Sequence, residues 1–252
     1  MRLARITIAA GVLIAGVLAT DAYFWIDRKS GERYARQMCD RDGGLSIHET
    51  TYAEGFLDES GDPNWCVACI DRLAKAKFQY IDVHVPGNPN TADSSAKRPG
   101  YYRLSTAQRG DPRCERWKQY GLLARWENQE KISGMDTALC VAIDPLEGKP
   151  DGPVLTEIQE QVTNDRGVDV RVHRFQLSDA RSGRSYAVFK DYLYYAQWDQ
   201  IFFSAGGYIP KGNRICSSPM KYVEDVTSIP EKVLRDKSKM PSSQSEQQRS
   251  IR

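Results

Sequence analysis

Three stretches decide the predicted fold of this chain: VLTEIQEQVT (154–163), VDVRVHRFQL (168–177) and SYAVFKDYLYY (185–195). Each is rich in the β-branched and aromatic residues that strands favour. Two short polar connections that contain glycine, 164–167 and 178–184, join them. Connections of this kind between strand-like runs are typical of β-hairpins. The sequence therefore predicts an antiparallel β-meander in its second half.

Outside the meander, strand and helix patterns follow one another without regular alternation. Strand patterns occupy 45–52, 78–85 and 137–143, and helix patterns occupy 66–77 and 112–120. No glycine-rich phosphate loop follows a strand, which argues against a doubly wound nucleotide-binding fold. The predicted fold class is α+β: an antiparallel β-sheet (a meander) with two or three helices packed on it, preceded by an N-terminal transmembrane helix.

The N-terminal segment directs the chain to a membrane. Arg2 and Arg5 precede the uncharged run ITIAAGVLIAGVLAT (6–20), and Asp21 separates this run from AYFWI (22–26). A basic start, an apolar run and small residues near position 21 fit a cleaved signal peptide. The alternative is an uncleaved anchor, because 21 residues from 6 to 26 span about 31 Å as a helix, enough to cross the hydrocarbon core.

The aromatic triplet at the end of this segment favours the anchor. Tyr23, Phe24 and Trp25 would lie at the membrane interface, with Arg28 and Lys29 just beyond them. Cleavage would instead leave these aromatic residues at a new N-terminus. We expect an anchor or signal segment (1–26), a juxtamembrane helix (27–44), an extracytoplasmic α+β domain (45–228) and a disordered tail (229–252).

All the cysteines follow the N-terminal segment, which fits folding in an oxidising compartment. Six cysteines allow 15 pairings, among which the sequence cannot choose. The disulfide candidates are Cys39, Cys66, Cys69, Cys114, Cys140 and Cys216. We expect a single-pass protein of the bacterial inner membrane with its C-terminal domain in the periplasm; the alternative is secretion to the periplasm after signal cleavage.

Composition and motifs exclude several function classes. Thirty-five basic residues against 33 acidic ones leave a net charge of +2, too small for a nucleic-acid-binding surface. The sequence contains neither H-E-x-x-H nor G-x-S-x-G, the short signatures of zinc proteases and of many hydrolases. We expect no catalytic residue, no metal site, no cofactor and no nucleic-acid partner.

The sharpest chemical motif is Trp65-Cys66-Val67-Ala68-Cys69. It looks like the W-C-x-x-C of thioredoxin-like oxidoreductases, in which a helix N-terminus lowers the pKa of the first thiol and the second thiol resolves the mixed disulfide. A polar turn, 58–64, leads into it where thioredoxins have a strand. A structural disulfide is the simpler interpretation, and a zinc site lacks a second ligand pair.

The histidines carry a weaker indication. His48, His84 and His173 all fall on predicted strands, and Asp82 lies two residues from His84 on the same strand face. Such a pair could begin a metal or acid–base site. An ordinary polar sheet face explains the pair equally well.

Aromatic residues are concentrated near the end of the meander. Tyr192 and Tyr194 share one face of the predicted strand, Tyr195 lies on the other, and Trp198 follows. Tyrosine and tryptophan suit binding surfaces because they are large, fairly rigid and polar at one end. These four residues form a candidate binding surface, and ordinary cross-strand packing is the alternative.

Two stretches together resemble a known group of sequences. CDRDGG (39–44), followed by IHET (47–50), and the hairpin 174–195 with its D-x-x-S-G turn are similar to a loose group of uncharacterised proteobacterial and phage-associated exported proteins. The resemblance implies an envelope protein and carries no activity. The predicted function is a membrane-anchored envelope protein that binds a partner protein or cell-wall glycan without catalysis; the alternative is a membrane-tethered thiol-disulfide oxidoreductase that uses the CxxC pair.

Overall fold

The computed structural model describes residues 2–60, 67–85, 99–116, 134–163, 169–194, 213–214, 216 and 219–236. The described helices are α1 (Arg2–Asp42), α2 (Val67–Ala74), α3 (Pro219–Val233) and a 3₁₀ helix (Pro112–Glu115). The described strands are β1 (Gly44–Ile47), β2 (Thr51–Tyr52), β3 (Gly55–Glu59), β4 (Tyr80–Val85), β5 (Gly100–Gln108), β6 (Leu139–Leu146), β7 (Pro153–Thr163), β8 (Asp169–Asp179), β9 (Ser185–Tyr194), β10 (Asn213–Arg214) and β11 (Leu234–Arg235). The fold is of the α+β type.

The chain divides into two compact units. Unit 1 comprises Met1–Gly44, Gln159–His173 and Lys190–Tyr222. Unit 2 comprises Leu45–Ile158, Arg174–Phe189 and Val223–Arg252. The three long strands β7, β8 and β9 each contribute one part to unit 1 and one part to unit 2.

The described strands form a mixed β-sheet with the strand order β1-β9-β8-β7-β3-β4-β5-β6, and β3, β4, β5 and β6 lie entirely in unit 2. The predicted meander is present, since β7, β8 and β9 are neighbours in this order. The expectation of a wholly antiparallel sheet is wrong, because β3 pairs in parallel with both β4 and β7. The pairs β4–β5 and β5–β6 are antiparallel.

The parallel pairing of β3 with β4 needs a crossover, and α2 supplies it. Val67, Ile70 and Leu73 follow helical spacing, so one side of α2 is apolar. Ile70 and Leu73 are buried, together with Ile81 of β4 and Leu104 of β5. The segment from β3 to β4 is therefore one βαβ unit, which the sequence did not reveal because β3 itself was missed.

In unit 1, the C-terminal part of α1 packs on strand residues. Its buried cluster contains Ala35, Met38, Val170, Val172, Tyr192 and Tyr194. The helix ends at Asp42, directly before two glycines, and Gly44 has a φ of +86°, the left-handed conformation of a helix C-cap. Among the residues that the structure describes, no helix combines the length and the hydropathy that a membrane crossing requires.

Gly31 of α1 packs directly against the ring of Tyr194 in β9. A Cβ atom built at Gly31 would lie 2.0 Å from Cε2 of Tyr194, whereas one built at Gly16 would have no atom within 4 Å. A larger residue at position 31 must therefore displace a buried aromatic ring.

Gly31→Ala should lower the free energy of unfolding by about 1–2 kcal/mol, because the steric cost of overpacking exceeds the gain in helix propensity. Urea unfolding of the full chain, followed by circular dichroism, measures the change. Gly16→Ala is the matched control and should not destabilise the protein. Equal effects of the two substitutions would contradict the close packing at Gly31.

The C-terminal region departs from the predicted tail. The predicted disordered tail begins at residue 229, but Ile229, Val233 and Leu234 are buried. Leu234 and Arg235 form β11, which pairs in parallel with Thr51 and Tyr52 of β2. The prediction of disorder followed from the polar composition of residues 229–252, although Ile229 and Val233 belong to α3 and Leu234 belongs to β11.

Two disulfides connect distant parts of the chain. Cys39 is bonded to Cys216 within unit 1, and Cys114 is bonded to Cys140 within unit 2. Cys69 is also disulfide-bonded, so every cysteine in the described ranges is oxidised. Cys66 lies outside the described residues.

Candidate functional sites

The two described residues of the predicted aromatic binding surface are buried. Tyr192 and Tyr194 are 2% and 5% exposed, because α1 covers the face of β9 that they share. Asp191 and Leu193, which point to the opposite face, are buried as well. Tyr192 and Tyr194 therefore belong to the core and not to an exposed surface. Tyr195 and Trp198 lie outside the described residues.

A small polar network accompanies these tyrosines inside unit 1. The Tyr192 hydroxyl donates to Oδ1 of Asp42 at 2.7 Å, and Nζ of Lys190 donates to Oδ2 at 2.7 Å. Burial raises the pKa of Asp42, but the hydrogen bonds from Lys190 and Tyr192 outweigh it and hold the pKa below its usual value. Burial, together with the bond to Asp42, raises the pKa of Tyr192, so its hydroxyl stays protonated. The network fixes the end of α1 to β9.

Tyr192→Phe should lower the free energy of unfolding by about 1.5–3 kcal/mol at neutral pH, the usual contribution of a hydrogen bond to a charged group. Since the folded-state pKa of Asp42 is depressed, its stabilising contribution is present above pH 4 and is lost as the pH falls through the folded value. The variant should therefore lose less stability between pH 5 and pH 3, as measured by urea unfolding at each pH. Tyr34→Phe, in the same cluster, should leave both quantities unchanged.

The CxxC motif lies in the chain between a strand and a helix, as in thioredoxin-like proteins, whereas the sequence predicted only a polar turn before it. Strand β3 ends at Glu59, and α2 begins at Val67, directly after Cys66 in the sequence. The motif thus follows a parallel strand and opens a helix. The strand β3 lies between β7 and β4 and is parallel to both. In open sheets with parallel strands, ligand and active sites lie beyond the carboxyl ends of such strands.

A carboxylate, that of Asp58, lies close to the described cysteine of this motif. Its Oδ2 lies 3.9 Å from Sγ of Cys69, and its Oδ1 accepts hydrogen bonds from the backbone and hydroxyl of Ser60 at 3.0 and 2.5 Å. Cys69 itself is fully buried. A carboxylate at this position can accept a hydrogen bond from the Cys69 thiol when the disulfide is reduced.

Arg72, one helical turn after Cys69, is a buried cation that sequence analysis missed. It is 2% exposed and lies 3.8 Å from carboxylate oxygens of both Asp58 and Glu231. Its guanidinium also donates to the carbonyl of Thr227 and lies 5.4 Å from the ring centre of Phe56. Burial lowers the pKa of Arg72, while the nearby carboxylates oppose this shift. Arg72 thereby links α2 to β3 and α3.

Residues of β4 and β5 form a second polar region, here called the β4–β5 face and defined as Tyr80, Asp82, His84, Tyr101 and Arg103. Arg103 donates two hydrogen bonds to Asp82, at 2.8 and 2.9 Å, and its guanidinium lies 3.7 Å from the ring centre of Tyr80. These hydrogen bonds raise the pKa of Arg103. Asp82 is only 2% exposed, and its buried carboxylate is neutralised by Arg103.

Asp82 and His84, the predicted start of a metal or acid–base site, have different partners in the structure. Asp82 is bound to Arg103, whereas His84 stacks on Tyr101 with a ring-centre distance of 4.6 Å. No group of three metal-ligating side chains occurs among the described residues. His48 and His173 lie on other parts of the chain, after β1 and in β8. The face therefore presents a stacked aromatic pair beside a bidentate ion pair, all of it except Asp82 half-buried.

Comparisons with protein-family models, with curated proteins and with solved structures found no match to this chain.

Proposed function

We propose that this chain is a membrane-anchored protein of the bacterial envelope, held in the inner membrane by residues 6–26 with its α+β units in the periplasm. There it binds a partner protein or cell-wall glycan without catalysis. The observation that carries the proposal is α1, one continuous helix that joins the apolar segment to the folded part of unit 1.

Exposed apolar side chains on α1 support the anchor. Leu18, Tyr23, Trp25 and Ile26 are each more than 60% exposed to solvent. Large apolar residues that are concentrated in one exposed segment are typical of contact with a membrane or a partner. Tyrosine and tryptophan at the end of such a segment suit the headgroup region. The disulfides of both units fit an oxidising compartment such as the periplasm.

The β4–β5 face supports the binding role. Half-exposed aromatic rings offer flat apolar contacts, and the adjoining Asp82–Arg103 pair offers hydrogen-bonding groups already held in place. Glycans are bound by this combination, since the C–H face of a sugar stacks on a ring while its hydroxyls bond to polar groups. This face replaces the predicted Tyr/Trp surface as the candidate binding region among the described residues.

Carbonate extraction and N-terminal analysis of the exported chain test the anchor. Full-length protein that stays with the membrane pellet and retains residues 1–26 supports the proposal. A soluble periplasmic product that begins near residue 23 overturns the anchor and leaves the alternative of secretion after cleavage.

Co-sedimentation with purified cell-wall sacculi tests the glycan role. The double variant His84→Ala/Tyr101→Ala should weaken binding by at least about tenfold, because truncation of an aromatic contact residue at the centre of an interface has effects of this size. Tyr52→Ala, which removes a half-buried tyrosine elsewhere in unit 2, is the matched control. Binding that is equal for the wild type and both variants excludes this face.

One observation favours a second candidate function, a membrane-tethered thiol-disulfide oxidoreductase. The CxxC motif follows β3 and opens α2, with the Asp58 carboxylate near Cys69. In this role, the Cys66–Cys69 pair would exchange with the dithiol of a substrate protein, which would leave oxidised while the pair becomes reduced.

Thiol trapping in glutathione buffers tests the second candidate. A catalytic CxxC disulfide should be reduced well before Cys114–Cys140, because structural disulfides resist the glutathione pool. Mass spectrometry of alkylated peptides identifies which cysteines have been released. A CxxC pair that resists reduction as strongly as Cys114–Cys140 excludes the redox function.

A further inference from the structure

One face of α1 carries an exposed stripe of aromatic and basic residues. Trp25, Lys29, Arg33 and Arg36 follow the spacing i, i+4, i+8, i+11, which places them on the same side of a helix. All four are exposed, and Trp25 is 64% exposed. The opposite side of the same helix is buried in unit 1. The stripe therefore faces away from the folded part of unit 1.

The stripe has more positive charge than its acidic neighbours can neutralise. From Arg28 to Arg36 the sequence has four basic residues and one acidic residue. Glu32 is shared between Arg28 and Lys29, at 3.4 and 3.3 Å. Arg33 and Arg36 make no ion pair with any residue in the described part of the chain. A surface groove of about 550 Å³ runs along these side chains, from Trp25 and Ile26 to Arg36.

The basic side chains of the stripe point along α1 toward the apolar segment 6–26. Cα–Cβ bonds tilt toward the N-terminus of a helix, so long side chains at positions 29, 33 and 36 point back toward Ile26. With a rise of 1.5 Å per residue, the backbone of Lys29 lies about 5 Å beyond Ile26 and that of Arg33 about 10 Å beyond it. A phospholipid headgroup layer adds roughly 5–8 Å to each side of the hydrocarbon core. The backbone of Lys29 lies within this depth, whereas the backbones of Arg33 and Arg36, about 10 and 15 Å beyond Ile26, lie outside it. Their guanidinium groups reach the layer because the side chains point back toward Ile26.

We propose that Lys29, Arg33 and Arg36, together with Trp25, form a binding site for the phosphate of an anionic phospholipid headgroup. This inference rests on the proposed membrane anchor. The occupant is a lipid because the stripe continues directly from the exposed apolar residues Tyr23, Trp25 and Ile26. Guanidinium groups bind phosphate oxygens in bidentate fashion, and the indole of Trp25 lies where the acyl chains begin.

Trp25 is also a reporter for the test. The full chain is reconstituted in phosphatidylcholine bilayers that contain increasing fractions of brominated phosphatidylglycerol or, in parallel, brominated phosphatidylcholine. Bromine in the acyl chains quenches only tryptophans that contact the lipid, and Trp25→Phe identifies the part of the signal that belongs to Trp25. The ratio of the two quenching curves gives the preference for the anionic lipid.

The wild type should prefer phosphatidylglycerol by at least about fivefold, the contribution expected of a single basic residue near an anionic surface. The variant Arg33→Gln/Arg36→Gln should reduce the preference at least about fivefold. Lys75→Gln/Arg181→Gln is the matched control, because it removes the same charge from exposed positions in unit 2. The control should keep the preference of the wild type.

Each other outcome has a distinct meaning. Equal quenching of the wild type by the two lipids overturns the headgroup site and leaves an acidic protein segment as the occupant of the stripe. A preference that survives Arg33→Gln/Arg36→Gln overturns the assignment to these residues. Absence of quenching by either lipid shows that Trp25 is outside the bilayer, which overturns the anchor itself and the headgroup site with it.

Discussion

Replacing both Cys39 and Cys216 with serine should lower the free energy of unfolding of unit 1 by about 5 kcal/mol. The bond closes a loop of 177 residues, and the loss of chain entropy that it imposes on the unfolded state grows with loop length. Both cysteines adjoin the buried cluster that α1 forms with β8 and β9. Urea unfolding of the full chain, with hydrogen exchange of peptides that cover 169–173 and 190–194, measures the effect in unit 1.

The second disulfide supplies the control. Cys114 and Cys140 close a loop of only 26 residues, so their replacement by serine should cost about 3.5 kcal/mol. Its effect should appear in peptides of β5 and β6. A loss of protection in unit 1 that is no larger for Cys39→Ser/Cys216→Ser than for Cys114→Ser/Cys140→Ser would contradict the stabilising role of the long-range bond.

Replacing Arg72 with alanine should lower the free energy of unfolding by about 3–5 kcal/mol, the range for removing one partner of a buried ion pair. The substitution removes the buried cation beside Asp58 and the packing of the side chain against Phe56, whereas Glu231 keeps its ion pair with Lys77. Thermal or urea unfolding followed by circular dichroism measures the change.

Two further substitutions separate charge from volume at this position. Arg72→Met keeps most of the packing and should recover part of the loss. Lys75→Ala removes an exposed pair between Asp71 of α2 and the residue that directly follows this helix, and it should cost less than about 1 kcal/mol. An Arg72→Ala variant as stable as Lys75→Ala would show that the buried cation does not hold α2 in place.

The sequence predicted the parts of the fold that local patterns determine. The hairpins of β7, β8 and β9 have short glycine-bearing connections, and α1 ends at two glycines. Strand β3 was missed because its sequence, GFLDE, contains a glycine and two acids that disfavour strands. It is a strand because β4 and β7 pair with it on both sides, and such distant pairing leaves no local signature.

The candidate sites show the same limit. Periodicity placed Tyr192 and Tyr194 on one face of a strand, but it could not show that α1 would cover that face. The only indication in the sequence that Arg72 is buried is its position three residues after Cys69, which places it on the side of α2 that packs in the core. The pairing of Asp82 with Arg103 depends on the register of β4 against β5, which two separate segments decide together.

The disulfide between Cys39 and Cys216 can form only after nearly all of the chain has been synthesised. Cys39 is made 177 residues before its partner, and Cys66, Cys69, Cys114 and Cys140 are all made in between. A chain that meets oxidant as it emerges will join neighbouring cysteines first, so Cys39 is exposed to premature pairing during that interval. A chain in which Cys39 has paired prematurely reaches the native bond only by thiol exchange, so we expect a disulfide isomerase to raise the yield of native protein.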